Sequence, residues 1–349
     1  MKYLFILGRN IPLSIAEVFS FFNRSGIKIL NHKIVNNGLL VEVDKKIDNK
    51  AIDFLGGVIS IGEIIGKNEP ELESVDLYHG FNNKMSYILW NFTDSEDAFN
   101  QFSDYLKRRF RDEKLKAVEH RDPRSSKKID EEYFVFEDSF GRIIQKCDYK
   151  ELEERDMKKP VRRQELSISP RLAKIMINLS EVKAKGKLLD AFCGIGVILS
   201  EALLQGLEVV GIDVDKNAIE GAKKNIEWLG IKRNYKLING DSRRVNIPKM
   251  DAMASEPDLG EILKKSQKEE NARETLEKFE KLMVGVLNNL RKNISGKIVF
   301  SAPNIKTHNG RMGCDINRII SRTGLQLTAG PFSDLREGQI VGRDIYVLE

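Results

Sequence analysis

Only three cysteines occur in 349 residues, and Cys147, Cys193 and Cys314 stand far apart with no C-x-x-C pair. That spacing excludes a zinc ribbon and a disulfide framework and points to a reducing, cytoplasmic compartment. The four histidines, His32, His79, His120 and His308, show no ligand spacing, so no metal is expected. No apolar run approaches the roughly 20 residues that cross a bilayer. The opening Tyr3-Leu4-Phe5-Ile6-Leu7 is cut short by Gly8, Arg9 and Asn10, too soon for a signal core. No membrane partner is expected. A net charge of +5 is too small to prove a nucleic-acid partner by itself, while 41% hydrophobic and 31% charged residues exclude a disordered chain. This length leaves room for two or three cores.

The richest stretch runs from Leu188 to Asp213. An apolar strand ends in Asp190, the loop Phe192-Cys193-Gly194-Ile195-Gly196 opens a helix, and the next apolar strand ends in Asp213. The two glycines permit a tight bend and close backbone approach, and the helix start presents unpaired amides. A dinucleotide site would carry G-x-G-x-x-G, but Leu199 occupies the third position. Asp190 would repel a pyrophosphate and attract a cation. Asp213 falls where an acid takes ribose hydroxyls. The pattern fits a positively charged nucleoside cofactor without phosphates, S-adenosylmethionine. Cys193 reads as a small loop residue, and Phe192 either lines the pocket or packs beneath it.

Residues 1–66 predict a small β-α-β-β-α-β unit, ferredoxin-like, with Ser14 and Glu17 as a capping box and a hairpin at Asn36-Asn37-Gly38. Residues 67–84 read as a polar linker. A second α/β unit extends to residue 150, with a strand Tyr87–Phe92, a helix Ser95–Arg109 and strands at Tyr133–Phe136 and Gly141–Cys147. Between them lies a basic stretch including Arg108, Arg109, Arg111, Arg121, Arg124, Lys127 and Lys128, and a second cluster, Lys158, Lys159, Arg162 and Arg163, falls in a linker over 151–166. Such runs are often solvated surface, but two on neighbouring parts suit an RNA backbone. From 167 to 349 strands and helices alternate, which means a parallel sheet covered on both faces. The last two strands, Leu325–Ala329 and Gly342–Leu348, form an antiparallel hairpin, the ending of a Rossmann-like, seven-stranded S-adenosylmethionine-dependent methyltransferase of α/β class.

Taken together, the chain resembles the archaeal and eukaryotic tRNA (guanosine-10) N2-methyltransferases, in which a THUMP domain precedes the catalytic one. The resemblance rests on Leu7-Gly8-Arg9-Asn10 with Leu13-Ser14-Ile15-Ala16-Glu17, on Arg155-Asp156 and Pro160-Val161-Arg162 before Pro170-Arg171-Leu172-Ala173, and on Met176-Ile177-Asn178-Leu179. It continues through Asp190 to Gly196, Asn225-Ile226-Glu227-Trp228-Leu229 and Gln339-Ile340-Val341-Gly342-Arg343. It implies a ferredoxin-like domain over 1–66, a THUMP-like RNA-binding domain over 67–150 and tRNA as partner. It also implies that Asp190, Gly194 and Gly196 hold the methionine end of the cofactor, that Asp213 binds the ribose, and that Asp241 and Ser242 lie near the adenine.

In that family the fourth strand of the catalytic sheet ends in Asp or Asn, two prolines and an aromatic residue. The acid or amide accepts a hydrogen bond from an exocyclic amine, and the ring stacks on an extruded base. Here the run is Glu256-Pro257-Asp258-Leu259-Gly260. Glu256 and Pro257 keep an acceptor and a rigid turn, whereas Leu259 removes a stacking face worth about 1–3 kcal/mol. Asp258 either contacts the guanine edge or is surface. The expected function is methyl transfer to the N2 amine of a guanosine in tRNA, with Glu256, Pro257 and Asp258 as the catalytic run. The alternatives are a tRNA-binding protein whose catalysis is weak or lost, or an amino-methyltransferase for DNA or another amine.

Overall fold

The computed structural model describes residues 1–78, 80–120, 129–162, 168–232, 234–260 and 265–349. Arg121, Arg124, Lys127, Lys128, Arg163 and His79 lie outside the described residues. The chain divides into two compact units: 1–11, 27–53 and 58–147 form the first, and 12–26, 54–57 and 148–349 the second.

The first unit carries β1 (Lys2–Leu7), β2 (Ile29–Val35), β3 (Gly38–Val43), β4 (Val58–Gly66), β5 (Lys84–Phe92), β6 (Lys116–Glu119), β7 (Glu131–Phe136) and β8 (Ser139–Lys146). Helix α1 (Ile11–Ser25) belongs to the second unit, while α2 (Glu69–Glu73) and α3 (Glu96–Asp112) belong to the first. All eight strands form one sheet in the order β2-β3-β1-β4-β8-β7-β5-β6, so the stretches 1–66 and 67–150 share a sheet through the β4–β8 pair. The sheet curls strongly enough that a Cβ on Gly38 would lie 2.6 Å from Phe92, five places away in strand order. The expected hairpin is there, with Asn36 in the left-handed region at φ 53°. Ser95 caps α3 by accepting from Ala98 N. Two features differ from expectation. The polar linker contains α2, and the basic run contains β6, a half-exposed strand parallel to β5 whose charges hid its alternation.

The second unit holds α4 (Tyr149–Lys158), α5 (Pro170–Leu179), β9 (Lys187–Asp190), α6 (Val197–Leu204), β10 (Glu208–Asp213), α7 (Lys216–Trp228), β11 (Tyr235–Asn239), β12 (Ala252–Ser255), α8 (Glu269–Leu290), β13 (Ile298–Thr307), β14 (Gly310–Gly313), α9 (Ile316–Thr323), β15 (Leu327–Asp334) and β16 (Val341–Leu348). The strand order is β11-β10-β9-β12-β13-β16-β15, with β14 on β13; the first five strands run parallel and β16 is antiparallel to both neighbours. This is the seven-stranded methyltransferase arrangement expected above. Strand periodicity sorts the core. Leu188, Val209, Ala252, Ala254, Val299, Ile345 and Val347 pack on the face covered by α5, α6 and α7. Their neighbours Leu189, Val210, Met253, Ile298, Phe300, Tyr346 and Leu348 pack under α8 and α9.

One expectation is overturned. Helix α1 begins at Ile11, so Ser14 and Glu17 lie inside it and form no capping box. Glu17 is fully buried and accepts from the amides of Gly56 and Gly57, 2.7 Å each, and from Asn178 Nδ2 at 2.9 Å. Burial raises its pKa while these donors pull against the rise. Asn178 Oδ1 in turn accepts from Arg24 Nη1 at 2.7 Å. Gly56 admits no side chain, because a Cβ there would fall 1.9 Å from Arg171 O.

Candidate active site

Chain order reverses between β9 and β12: from β9 the chain builds outward to β11, then returns to add β12 and β13 on the other side. In open α/β sheets the crevice at the carboxyl ends of strands at such a point takes the ligand. Asp190 and Asp213 end β9 and β10, and Glu256 follows the end of β12.

Asp190 is 1% exposed. Its carboxylate accepts from Phe192 N at 3.2 Å and is hydrogen-bonded by the Ser255 hydroxyl. Burial first, then the charges of Asp213 and Glu256, pushes its pKa up to about 7. Asp213 accepts from Gly194 N and Asp215 N, 2.8 Å each, which pins the glycine loop to the tip of β10. Gly196, at φ 84°, precedes α6 without any side-chain cap, and a Cβ built there would press on Ala222 at 3.1 Å. A Cβ on Gly194, by contrast, would meet nothing within 4 Å, so this face of the loop is open to a ligand. Neither Asp190 nor Asp213 has a cationic side chain within ion-pair distance among the described residues. Acceptors without a cation, beside an open loop and an uncapped helix start, fit S-adenosylmethionine, whose ammonium and sulfonium supply the missing charge.

Two serines bracket the peptide after Asp190. Ser255 Oγ accepts from Ala191 N at 2.7 Å, and Ser242 Oγ donates to Ala191 O. Ser242 is therefore a buried tie between the end of β11 and the β9 loop, and its hydroxyl is already engaged. Asp241 is bound by Arg243 through Nε and Nη2, which with the Arg243 amide draws its pKa down to about 2. Phe192 is half-buried against the α8 side of the core. Burial, reinforced by Asp190 and Asp213, pushes the Cys193 thiol well above its usual range, so it is no nucleophile at neutral pH.

Just past the end of β12 the Glu256 side chain is 10% exposed and paired with Arg343 of β16, itself 17% exposed, through a hydrogen bond from Nε to Oε1. Burial raises the Glu256 pKa, Arg343 opposes the rise, and Asp334 adds to it. Pro257 is buried. Asp258 is exposed and accepts from Gly260 N at 3.0 Å. Asp258, Leu259 and Gly260 border a cleft of about 450 Å³ whose other walls include Thr275, Phe279 and Val341.

Sequence reasoning assigned no role to Ser255 or Arg343. Ser255 reads as the last residue of an apolar strand. Arg343 stands in the matched block Gln339–Arg343, and the adjacent charges of Arg343 and Asp344 inside a strand that is otherwise largely apolar were the available signal.

The basic residues divide. Arg109 pairs with Glu113, donates to Glu73 O at 3.2 Å and lies at Tyr105 OH, so it braces the end of α2. Arg108 pairs with Glu69, and Arg111 is exposed. Lys158 pairs with Glu154 at 3.0 Å on open surface, Lys159 with Asp156 at 2.6 Å in a less exposed position, and Arg162 is exposed beside Met157. No group of three or more His, Cys, Asp or Glu is placed to hold a metal among the described residues. None of their helices is long and apolar enough to cross a membrane.

Two family models match: one described as RMKL-like, methyltransferase domain, over residues 159–294, and one described as DNA methylase, over residues 17–224, more than half of the chain. The chain is 39% identical over 140 residues to the tRNA (guanine(10)-N2)-dimethyltransferase of Methanothermobacter thermautotrophicus, covering 39% of each chain. It is 36% identical over 115 residues to the enzyme of that name from Pyrococcus abyssi, covering 32% of this chain and 34% of the other. The match thus spans well under half the length of these relatives. Among solved structures, a possible methylase from Clostridium difficile 630 aligns over 99% of this chain and 97% of its own, with a TM-score of 0.51 at 14% identity, a likeness of fold.

Proposed function

We propose that this chain, which belongs to the DNA methylase family and over part of its length resembles the tRNA (guanine(10)-N2)-dimethyltransferases, transfers methyl groups to the exocyclic N2 amine of a guanosine in tRNA. The observation that carries the reading is the placing of a buried carboxylate, Glu256, across the switch point from Asp190 and the open Gly194 loop. When bound, S-adenosylmethionine supplies an electrophilic methyl carbon.

The protein's part is to bind, aim and exclude water. Asp190 and the loop from Gly194 to Gly196 receive the cationic end, and Asp213 the ribose, with Asp241 at the far end of the site. Glu256 accepts a hydrogen bond from the amine, directs its nitrogen toward the methyl carbon and eases loss of the proton after attack. Pro257 stiffens the turn that aims it, and Asp258 offers a second acceptor to the guanine edge. Alignment supplies most of the acceleration, since an exocyclic amine needs orientation more than a strong base. Leu259 gives no stacking face, so affinity for the extruded base falls by about one to two powers of ten relative to an aromatic residue. The first unit, with Arg108, Arg111 and the basic run through Lys128, and the connector with Lys158, Lys159, Arg162 and Arg163, would grip the RNA backbone. A THUMP-like role for residues 67–150 and a cytoplasmic location belong to the same reading.

The test is incubation of the full chain with labelled S-adenosylmethionine and either unmodified tRNA or duplex DNA, followed by mass spectrometry of the nucleosides. N2-methylated guanosine from tRNA is the expected product. Label in DNA alone would favour the DNA-directed reading that the matched family description suggests, and no transfer despite cofactor binding would favour a silent tRNA binder.

A further inference from the structure

We propose that Arg343 is a positioning residue for the transfer: from β16 it fixes one oxygen of Glu256, so that the other faces the incoming amine. The inference rests on the reading of Glu256 as the amine acceptor.

Strand order sets the problem. β13 lies between β12 and β16, so the partner of Glu256 is two strands away, about 10 Å in backbone spacing. Arg343 stands opposite Pro303 of β13 on one side and opposite Asp334 of β15 on the other. Its guanidinium must therefore pass over β13 to reach Glu256. A long donor and a long acceptor can close that gap; an aspartate at position 256 falls one methylene short. Glu256 and Arg343 thus form one device, joined across β13 by a single hydrogen bond. The guanidinium suits the task because Nε–H is held in a rigid plane, which sets direction as well as charge.

Charge makes the arginine necessary. Glu256 is nearly enclosed, and the acidic groups that act on it or that it acts on are Asp334 of β15 and Asp190 of β9, with Asp258 exposed in its own loop. Arg343 is the cation bonded to it. Without that cation, burial and Asp334 would favour the protonated acid, which donates where an acceptor is needed.

The test uses the full chain with unmodified tRNA and labelled S-adenosylmethionine, comparing wild type, Arg343→Gln, Arg343→Lys and Glu256→Asp. For Arg343→Gln, kcat falls about 10- to 100-fold and the acidic limb of its pH profile moves to higher pH, while cofactor affinity is unchanged. Arg343→Lys keeps the charge, so the limb stays near its wild-type position while kcat drops with the lost planar donor. Glu256→Asp also loses rate, although it restores the family's residue type. A second readout needs no turnover: the carboxyl carbon of Glu256, followed by 13C NMR, titrates at higher pH in Arg343→Gln than in wild type. Wild-type rate and limb in Arg343→Gln, or an unmoved carboxyl titration, overturns the proposal. Should wild type transfer no methyl group, the functional reading fails while the titration still decides the role of Arg343. If thermal melting shows that Arg343→Gln does not fold, the rates of Arg343→Lys and Glu256→Asp decide. Wild-type kcat in both overturns the pairing.

Discussion

The two sides of the crevice hold their carboxylates by opposite means. On the cofactor side, Asp190 and Asp213 are held by amides and a hydroxyl, with no ion-pair partner among the described residues. On the acceptor side, Glu256 is held by a guanidinium. On the function proposed above, the contrast follows the charge of what each side receives. A cationic ligand is attracted by negative charge that the protein has left uncompensated, and binding relieves a repulsion already present among Asp190, Asp213 and Glu256. A neutral amine brings no such charge, so the carboxylate meant for it must be kept ionised by the protein.

The largest effect expected from breaking this contrast is at Glu256. Glu256→Ala should lower transfer by about 10²- to 10⁴-fold and leave S-adenosylmethionine affinity within about twofold, because its charge is paired with Arg343 and is the least of the influences on Asp190. Labelled transfer and calorimetry on the same sample check it. An equal loss of cofactor affinity would place Glu256 on the other side of the crevice and dissolve the comparison.

Asp190 gives a smaller, pH-dependent effect. Its folded pKa, about 7, lies above its ordinary value of 3.8, so between these values the empty folded chain binds a proton that the unfolded chain does not. The stabilisation this provides is complete at low pH and is lost as pH rises toward about 7. Asp190→Asn should lack that slope, and the difference between the two melting curves isolates the group. Cofactor binding has the opposite sign, because it requires the ionised form: affinity should weaken about tenfold from pH 8 to pH 6, with proton release on binding over that range. Calorimetry in buffers of different ionisation enthalpy measures the release. Flat affinity with no release would mean that Asp190 is already ionised without ligand.

How much of this could be read from sequence follows from the range of each interaction. Asp190, Gly194, Gly196 and Asp213 were legible because a strand, a bend and a helix start impose local rules on consecutive residues. The sheet was legible because alternation separates Leu188 from Leu189 and Val209 from Val210 by face. Ser14 and Glu17 misled because the same i, i+3 spacing serves a cap or a helix interior, and Glu17 finds Gly56 and Gly57 some 40 residues away. Glu256 and Arg343 are 87 residues apart, and no local rule connects them. Two matched blocks acquire a cause only in three dimensions: Asn225 clasps Val161, accepting from its amide at 2.9 Å and donating to its carbonyl at 3.0 Å.

The weakest effect expected concerns charges in water, where pairing means least. Lys158 and Glu154 are 64% and 45% exposed, against 17% and 10% for Arg343 and Glu256. A pair so exposed contributes about 0–1 kcal/mol and is readily exchanged for a phosphate. Arg162, exposed beside Met157, is as free to do so. Lys159, in a less exposed pair with Asp156, should contribute less. The double substitution Lys158→Ala, Arg162→Ala should therefore weaken tRNA binding modestly and reduce the slope of log affinity against log salt by about 1–2, since each lost phosphate contact removes roughly 0.7–0.9. Titrations at several salt concentrations measure it. An unchanged slope would make these cations solvated surface and leave RNA recognition to other parts of the chain.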